Sequence, residues 1–116
     1  MTPQELEDRL IDFAAAIIGV TEALPNNNPG SHVAGQLIRS GTSSAANYGE
    51  ARSAESRKDF IHKMKISLKE LRETMIWLKI ISRKLMIAGE VVDAVISECD
   101  ELIAIFVSST STADGE

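Results

Sequence analysis

The sequence predicts an all-α fold, an antiparallel up-down-up-down four-helix bundle in a single domain. In four segments apolar residues recur at alternating spacings of three and four, as on one face of a helix. No segment shows the two-residue alternation of a strand, and short polar connections separate the four segments. The predicted bundle covers residues 1–108, with helices at about 3–24, 32–52, 57–88 and 90–107, and the Ser/Thr-rich residues 109–116 form a flexible C-terminal tail.

The first helix has a strong start signal. Thr2 can cap the helix, Pro3 suits its first position, and Glu5 completes a capping box. Only 4% of the residues are aromatic, so the core must be mainly aliphatic. The seam expected to face this core is Leu6, Leu10, Phe13, Ile17, Val20 and Leu24.

The second helix is predicted to follow a loop over residues 25–30, which contains two prolines and a glycine. Ser31 is the expected N-cap residue. Residues 41–46 are all small, which favours the close approach of another helix in the middle of this segment. Its apolar positions are Val33, Leu37, Ile38, Ala45 and Tyr48.

The third and fourth helices complete the predicted bundle. Ser56, with Asp59 three residues later, is the expected cap of the third helix, and Gly89 is expected just past its end. The third seam is Ile61, Met64, Leu68, Leu71, Met75, Leu78 and Leu85, and the fourth is Val92, Val95, Cys99, Leu102 and Phe106.

Residues that could support chemistry are few, so we predict a protein that is not an enzyme and has no catalytic, cofactor or metal site. His32 and His62 are the only histidines, and neither belongs to a Glu-x-x-His motif of the di-iron type. The serines at 43 and 44 have no evident base, and no glycine-rich phosphate loop is present. Cys99 is expected to be a small core residue.

The predicted location is the cytoplasm. The N-terminus lacks the basic start and apolar run of a signal peptide. No apolar run approaches the ~20 residues that span a bilayer, so no membrane partner is expected, and no small-molecule substrate is evident.

Charge is segregated along the chain. The net charge is −5, yet the third helix carries nine of the twelve basic residues. Four of them recur every seven residues beside the seam and form a basic stripe: Lys58, Lys65, Arg72 and Lys79. One interpretation pairs this stripe with acidic residues of helix one or four, in the same or a neighbouring subunit. The other makes it a track for the phosphates of RNA or DNA.

The third helix also carries apolar residues outside its seam. A helix that is apolar on two sides usually has two partners, and tryptophan is enriched at protein interfaces. We therefore predict a homo-oligomer interface here, against the alternative of a widened core stripe. The candidate interface residues are Ile66, Ile76, Trp77 and Ile80.

Two stretches of the chain resemble a known family. Residues 36–50 are close to the pattern Q-L-x-R-S-x-x-S-x-x-x-N-x-x-E, and residues 59–63, 67–74 and 77–78 resemble the second half of the same pattern. The chain is similar in these stretches to the bacterial four-helix bundle proteins named after the 23S ribosomal RNA intervening sequence. The resemblance implies a left-handed bundle, commonly a homopentamer with a central channel, whose biochemical role is not established.

A related branch comprises accessory proteins of diversity-generating retroelements, which bind nucleic acid and a reverse transcriptase. The polar residues of the motif are interpreted as ion pairs and hydrogen bonds that fix how helix two meets helix three, with ligand binding as the alternative. They are Arg39, Asn47, Glu50, Lys69, Glu70 and Glu73.

Together these observations predict a non-catalytic oligomeric bundle of this type, with no cofactor. Its predicted partners are RNA, DNA or a nucleic-acid-handling protein, bound through the basic stripe. The alternative is a protein-binding scaffold that makes no contact with nucleic acid.

Overall fold

A computed structural model describes residues 1–113 as four helices: α1 Pro3–Ala23, α2 Asn28–Arg52, α3 Arg57–Lys84 and α4 Gly89–Ala113. None of these described residues lies in a strand. Each helix packs on the next in sequence, and α1 also packs on α4, so that the four helices surround one core. The bundle measures 44 × 22 × 20 Å. The predicted all-α four-helix fold is confirmed.

Ion pairs between α2 and α3 indicate how the two helices run. Arg39, near the middle of α2, pairs with Glu70. Glu50, later in α2, pairs with Lys63, which is earlier in α3. Positions that increase along α2 therefore meet positions that decrease along α3, in line with the expected antiparallel neighbours. The left-handed sense of the bundle stays a prediction.

The predicted seams of α1 and α4 form most of the core. All of their residues are buried except Leu24, which packs partly against the core. The apolar pattern of α2 and α3 was less reliable. Ile38 is 39% exposed and Leu85 is 79% exposed, while Ile61 and Leu68 are partly buried.

The second helix begins four residues before the predicted start. Asn27, not Ser31, is the N-cap, and its side-chain oxygen accepts a hydrogen bond of 2.8 Å from the backbone nitrogen of Gly30. Pro29 therefore lies in the first turn of α2, where a helix tolerates proline because that backbone nitrogen has no helical partner. The prolines therefore lie just before and at the start of α2, and the connection is shorter than the predicted loop over residues 25–30.

The third helix ends at Lys84 rather than near residue 88, and Gly89 does not terminate it. Leu85 adopts the left-handed conformation, with φ 54° and ψ 45°. The backbone nitrogen of Met86 then donates to the carbonyl of Ile81 at 3.1 Å, as in a Schellman motif. Glycine usually occupies the left-handed position, so a leucine there provides no sequence signal. Gly89 is instead the first residue of α4.

The fourth helix continues beyond its predicted end near residue 107, so residues 109–113 are helical rather than a flexible tail. Thr110 is buried, and its hydroxyl donates to the carbonyl of Phe106 one turn earlier. At the end of the helix, Nε of Arg57 donates to the carbonyl of Ala113 at 3.1 Å. The rest of the predicted tail, residues 114–116, lies outside the described residues.

Small residues bring α2 close to its neighbours, as the sequence predicted. A Cβ atom at Gly41 would lie 2.5 Å from Cγ2 of Ile17 on α1, so only glycine fits there. On the α3 side, the hydroxyl of Ser67 donates to the carbonyl of Ser44 at 3.1 Å. These contacts hold α2 between α1 and α3, and α4 packs on α3 as well.

Candidate interaction surface

The basic stripe lies on the solvent side of α3, and all four of its residues are exposed. Within residues 1–113, Lys58, Arg72 and Lys79 form no ion pair. For these three cations, the interpretation that α1 or α4 of the same chain neutralises the stripe is therefore not supported. Their charges face outward.

Three acidic residues of α1 and α4 form ion pairs away from the stripe: Glu7, Glu98 and Glu101. Nε and Nη2 of Arg9 each donate to a carboxylate oxygen of Glu98 at 2.7 Å. This hydrogen-bonded pair raises the pKa of Arg9. On the neighbouring side of α1, Glu7 pairs with Arg52 of α2 at 3.2 Å. These pairs use basic residues of α1 and α2 and not Lys58, Arg72 or Lys79 of α3.

The four predicted interface residues separate into two pairs. Ile76 and Ile80 are 56% and 41% exposed, whereas Ile66 and Trp77 are partly buried. The indole nitrogen of Trp77 donates to Glu73 at 3.1 Å. Its ring packs in a T-shaped arrangement with the ring of His32 on α2, with ring centroids 5.9 Å apart. Trp77 is thus engaged within its own chain.

The exposed isoleucines lie beside the basic stripe. Ile76 lines a groove of about 380 Å³ between α3 and α4 together with Arg72 and Lys79, and Asp100 of α4 lines the same groove. Two residues of the predicted stripe and two of the predicted apolar face therefore share one mixed surface of α3. We call it the α3 ridge, and it consists of Arg72, Ile76, Lys79 and Ile80.

The polar family motif is only partly a set of cross-helix contacts. Nη1 of Arg39 lies 3.2 Å from Glu70, and Nη2 of the same residue pairs with Glu73. These two pairs join α2 to α3 as expected. Glu50 also reaches α3, 3.3 Å from Lys63, a partner that the sequence did not indicate.

Two other motif residues make no such cross-helix contact. The side-chain nitrogen of Asn47 donates to the carbonyl and the hydroxyl of Ser43, at 2.9 and 3.0 Å, within α2 itself. Lys69 is exposed and takes part in no ion pair within residues 1–113. The spacing of these residues therefore did not show which of them join the helices.

A second groove lies between α1 and α4, and no pattern in the sequence indicated it. Its volume is about 220 Å³. Buried Phe13 and Val95 provide apolar surface, and Glu98 lies at the groove within its pair with Arg9. We call it the α1–α4 groove; its lining is Asp12, Phe13, Ala16, Ala94, Val95 and Glu98.

A third cavity, of about 600 Å³, opens at the end of the bundle where α2 ends and α3 begins. Arg52 and Arg57 line it, but each donates hydrogen bonds within the chain. Tyr48 lies at its wall, and burial raises the pKa of this side chain. The cavity has no counterpart in the sequence pattern, because its residues come from separate helix ends.

The described part of the chain contains no group of three or more His, Cys, Asp or Glu residues placed to hold a metal ion. The two histidines lie apart, His62 exposed on α3 and His32 against Trp77. Within the same residues, no helix combines the length and hydropathy needed to cross a bilayer.

Cys99 is fully buried between α4 and α3. Its thiol donates to the carbonyl of Leu71 at 3.4 Å. Burial is the main cause that raises the pKa of Cys99 to about 12. Because the thiolate is the reactive form, the folded protein holds this residue in an unreactive state.

We therefore expect a thiol reagent to label Cys99 at least tenfold more slowly in the native protein than in denaturant at pH 8. The stability should also fall as the pH rises from the ordinary thiol range toward 12, because only the unfolded state ionises readily there. A Cys99→Ala variant should lack this pH dependence. Equal labelling rates in the two states would contradict the burial.

Comparison with known proteins shows to which family the chain is related. A solved structure described as a protein of unknown function from the S23 ribosomal protein family of Bacteroides thetaiotaomicron has the same fold, with a TM-score of 0.84. It is 34% identical to this chain, and the alignment covers 90% of this chain and 97% of the other. No curated protein matches. The family profile described as 23S rRNA-intervening sequence protein matches residues 5–108, and the chain belongs to this family.

Proposed function

We propose that this protein is a non-catalytic assembly module that self-associates through the α3 ridge into a homo-oligomer. The observation that carries the proposal is the presence of two exposed isoleucines, one helical turn apart, among cations that form no ion pair in the described chain. Single exposed apolar residues are ordinary, but an apolar pair within a polar rim is typical of an interface.

The charge of the chain supports a protein partner for this ridge. The ridge is basic, yet the chain as a whole carries −5. A second copy can therefore offer an acidic surface to the ridge, and opposite charges favour this encounter over contact between two ridges. The exposed parts of Ile76 and Ile80 would add apolar burial, at about 25 cal/mol per Å² removed from water.

We expect light scattering to give a mass well above 12.6 kDa for the wild-type chain at micromolar concentration. Ile76→Ser combined with Ile80→Ser should shift the mass toward the monomer while helical circular dichroism is retained, because neither side chain belongs to the buried core. The matched control is Ile38→Ser on α2, a position 39% exposed outside the ridge. A wild-type protein that is still monomeric at about 50 µM, well above the dissociation constant of a micromolar complex, would contradict the proposal.

A second candidate function is binding to RNA or DNA through the basic stripe. It is favoured by the outward charges of Lys58, Arg72 and Lys79 and by the family description, which refers to ribosomal RNA. Such binding would depend on phosphate contacts, which carry no base information. No aromatic residue is interleaved with the stripe to stack on bases.

This candidate predicts steeply salt-dependent binding of labelled RNA or duplex DNA. Changing all four stripe residues to Gln should weaken binding at ~50 mM salt and reduce the salt slope by roughly 0.9 for each phosphate of duplex DNA that the variant no longer neutralises. The control changes Arg83 and Lys84 to Gln, at the end of α3 outside the stripe. Unchanged binding by the quadruple variant, or no binding by the wild type, would remove this candidate and leave the assembly module.

A further inference from the structure

We infer that the α3 ridge of one copy docks into the α1–α4 groove of another copy. This inference rests on the proposed self-association and names the two surfaces that meet. The ridge and the groove come from different helices, so the contact joins unlike surfaces of two identical chains.

The groove has the chemistry that the ridge requires. Phe13 and Val95 are buried side chains that provide apolar surface, and Ala16 and Ala94 leave room because their side chains are short. The volume of about 220 Å³ is several times the ~30 Å³ that a water molecule occupies in the liquid. A branched aliphatic side chain such as that of Ile76 can therefore enter it.

Charge complements this shape. Asp12 is exposed at the groove and takes part in no ion pair within residues 1–113. Glu98 lies at the groove with its side chain 30% exposed, although it already binds Arg9. On the ridge, Arg72 and Lys79 flank the isoleucines. Docking would therefore place isoleucine against apolar surface while a cation approaches the carboxylate of Asp12.

The contact is also directional. A symmetric dimer in which two ridges pair with each other would set the cations of one ridge against those of the other. Ridge-to-groove docking avoids this repulsion and leaves one free ridge and one free groove on every pair. Each chain can therefore bind two neighbours, and a series of such contacts closes into a ring where the rotation between neighbours permits.

Two variants test this inference, because each removes one surface and preserves the other. The ridge variant is Arg72→Glu with Ile76→Glu, and the groove variant is Ala16→Gln with Ala94→Gln, which fills the groove without adding a positive charge that could attract the acidic ridge variant. All four positions are exposed, so both proteins should fold. Glu98 is left unchanged because it pairs with Arg9. The control is Glu55→Lys, an exposed reversal in the connection between α2 and α3.

By light scattering, each variant alone should be monomeric at concentrations at least tenfold above those at which the wild type and the control are assembled. An equal mixture should form a 1:1 dimer of twice 12.6 kDa and grow no further, because the intact ridge of one variant meets the intact groove of the other. This capped dimer is a result that neither misfolding nor ridge-to-ridge pairing would produce.

The remaining outcomes separate the two proposals. An assembled groove variant, or a mixture that stays monomeric while the wild type assembles, would overturn ridge-to-groove docking and leave self-association standing. A wild-type protein that is itself monomeric would overturn both.

Discussion

Gly41→Leu is expected to destabilise the protein by about 3 kcal/mol, near the upper end of the usual cost of overpacking. A Cβ atom at this position would already lie 2.5 Å from Cγ2 and 2.9 Å from Cγ1 of Ile17. These atoms are near the branch point of a fully buried side chain, so they cannot move aside without disturbing the core. The gain in helix propensity over glycine, about 1 kcal/mol, is too small to offset the clash.

Urea denaturation should measure this loss as a lower midpoint with an unchanged slope. Gly35→Leu is the matched control in the same helix, because nothing lies within 4 Å of a Cβ atom placed there. That variant should be as stable as the wild type or slightly more so. If both leucine variants unfold at the same urea concentration, α1 and α2 do not approach each other as closely as described.

Phe106→Ala is expected to lower the free energy of unfolding by about 3–5 kcal/mol, the range for truncating a buried phenylalanine. The side chain is fully buried in α4. Its ring packs in a T-shaped arrangement with the ring of Tyr48 on α2, with centroids 5.7 Å apart. The substitution therefore removes an apolar contact between two helices that are not direct neighbours, and the low aromatic content leaves few large side chains to fill the space.

The adjacent residue provides the control. Val107 is 39% exposed on the same turn of α4, so Val107→Ala should change the stability by no more than about 0.5 kcal/mol. Both variants should be unfolded at several protein concentrations, because self-association would make the apparent stability concentration-dependent. A loss below about 1 kcal/mol for Phe106→Ala would show that the core collapses around the cavity or is less tightly packed than described.

The sequence alone predicted the fold because periodicity is a local signal. The seams of α1 and α4 are almost entirely buried, and the caps at Thr2 and Ser56 form as expected. Helix ends were predicted less well where a residue departed from the usual preferences for helix starts and caps. Leu85 is a left-handed cap without glycine, and Pro29 lies inside the first turn of a helix.

The candidate surface, too, was predicted from the sequence only in part. The spacing of lysine and arginine predicted that a basic stripe runs along α3, since positions seven apart share one side of a helix. Whether acidic residues of α1 and α4 neutralise that stripe depends on which side chains lie within reach across the bundle. The structure pairs Glu98 with Arg9 and Glu7 with Arg52, which are contacts between residues far apart in sequence.

The sequence by itself therefore determined the four helices, the buried sides of α1 and α4 and the segregation of charge, because each depends on residues within a few turns of one another. Only the tertiary structure decided that Gly41 must be glycine, that Trp77 packs on α2, and that isoleucines and cations share the α3 ridge. The α1–α4 groove also exists only in the folded chain, since its two walls are about 80 residues apart in the sequence. Such features depend on distances between helices, and no local pattern of residues encodes those distances.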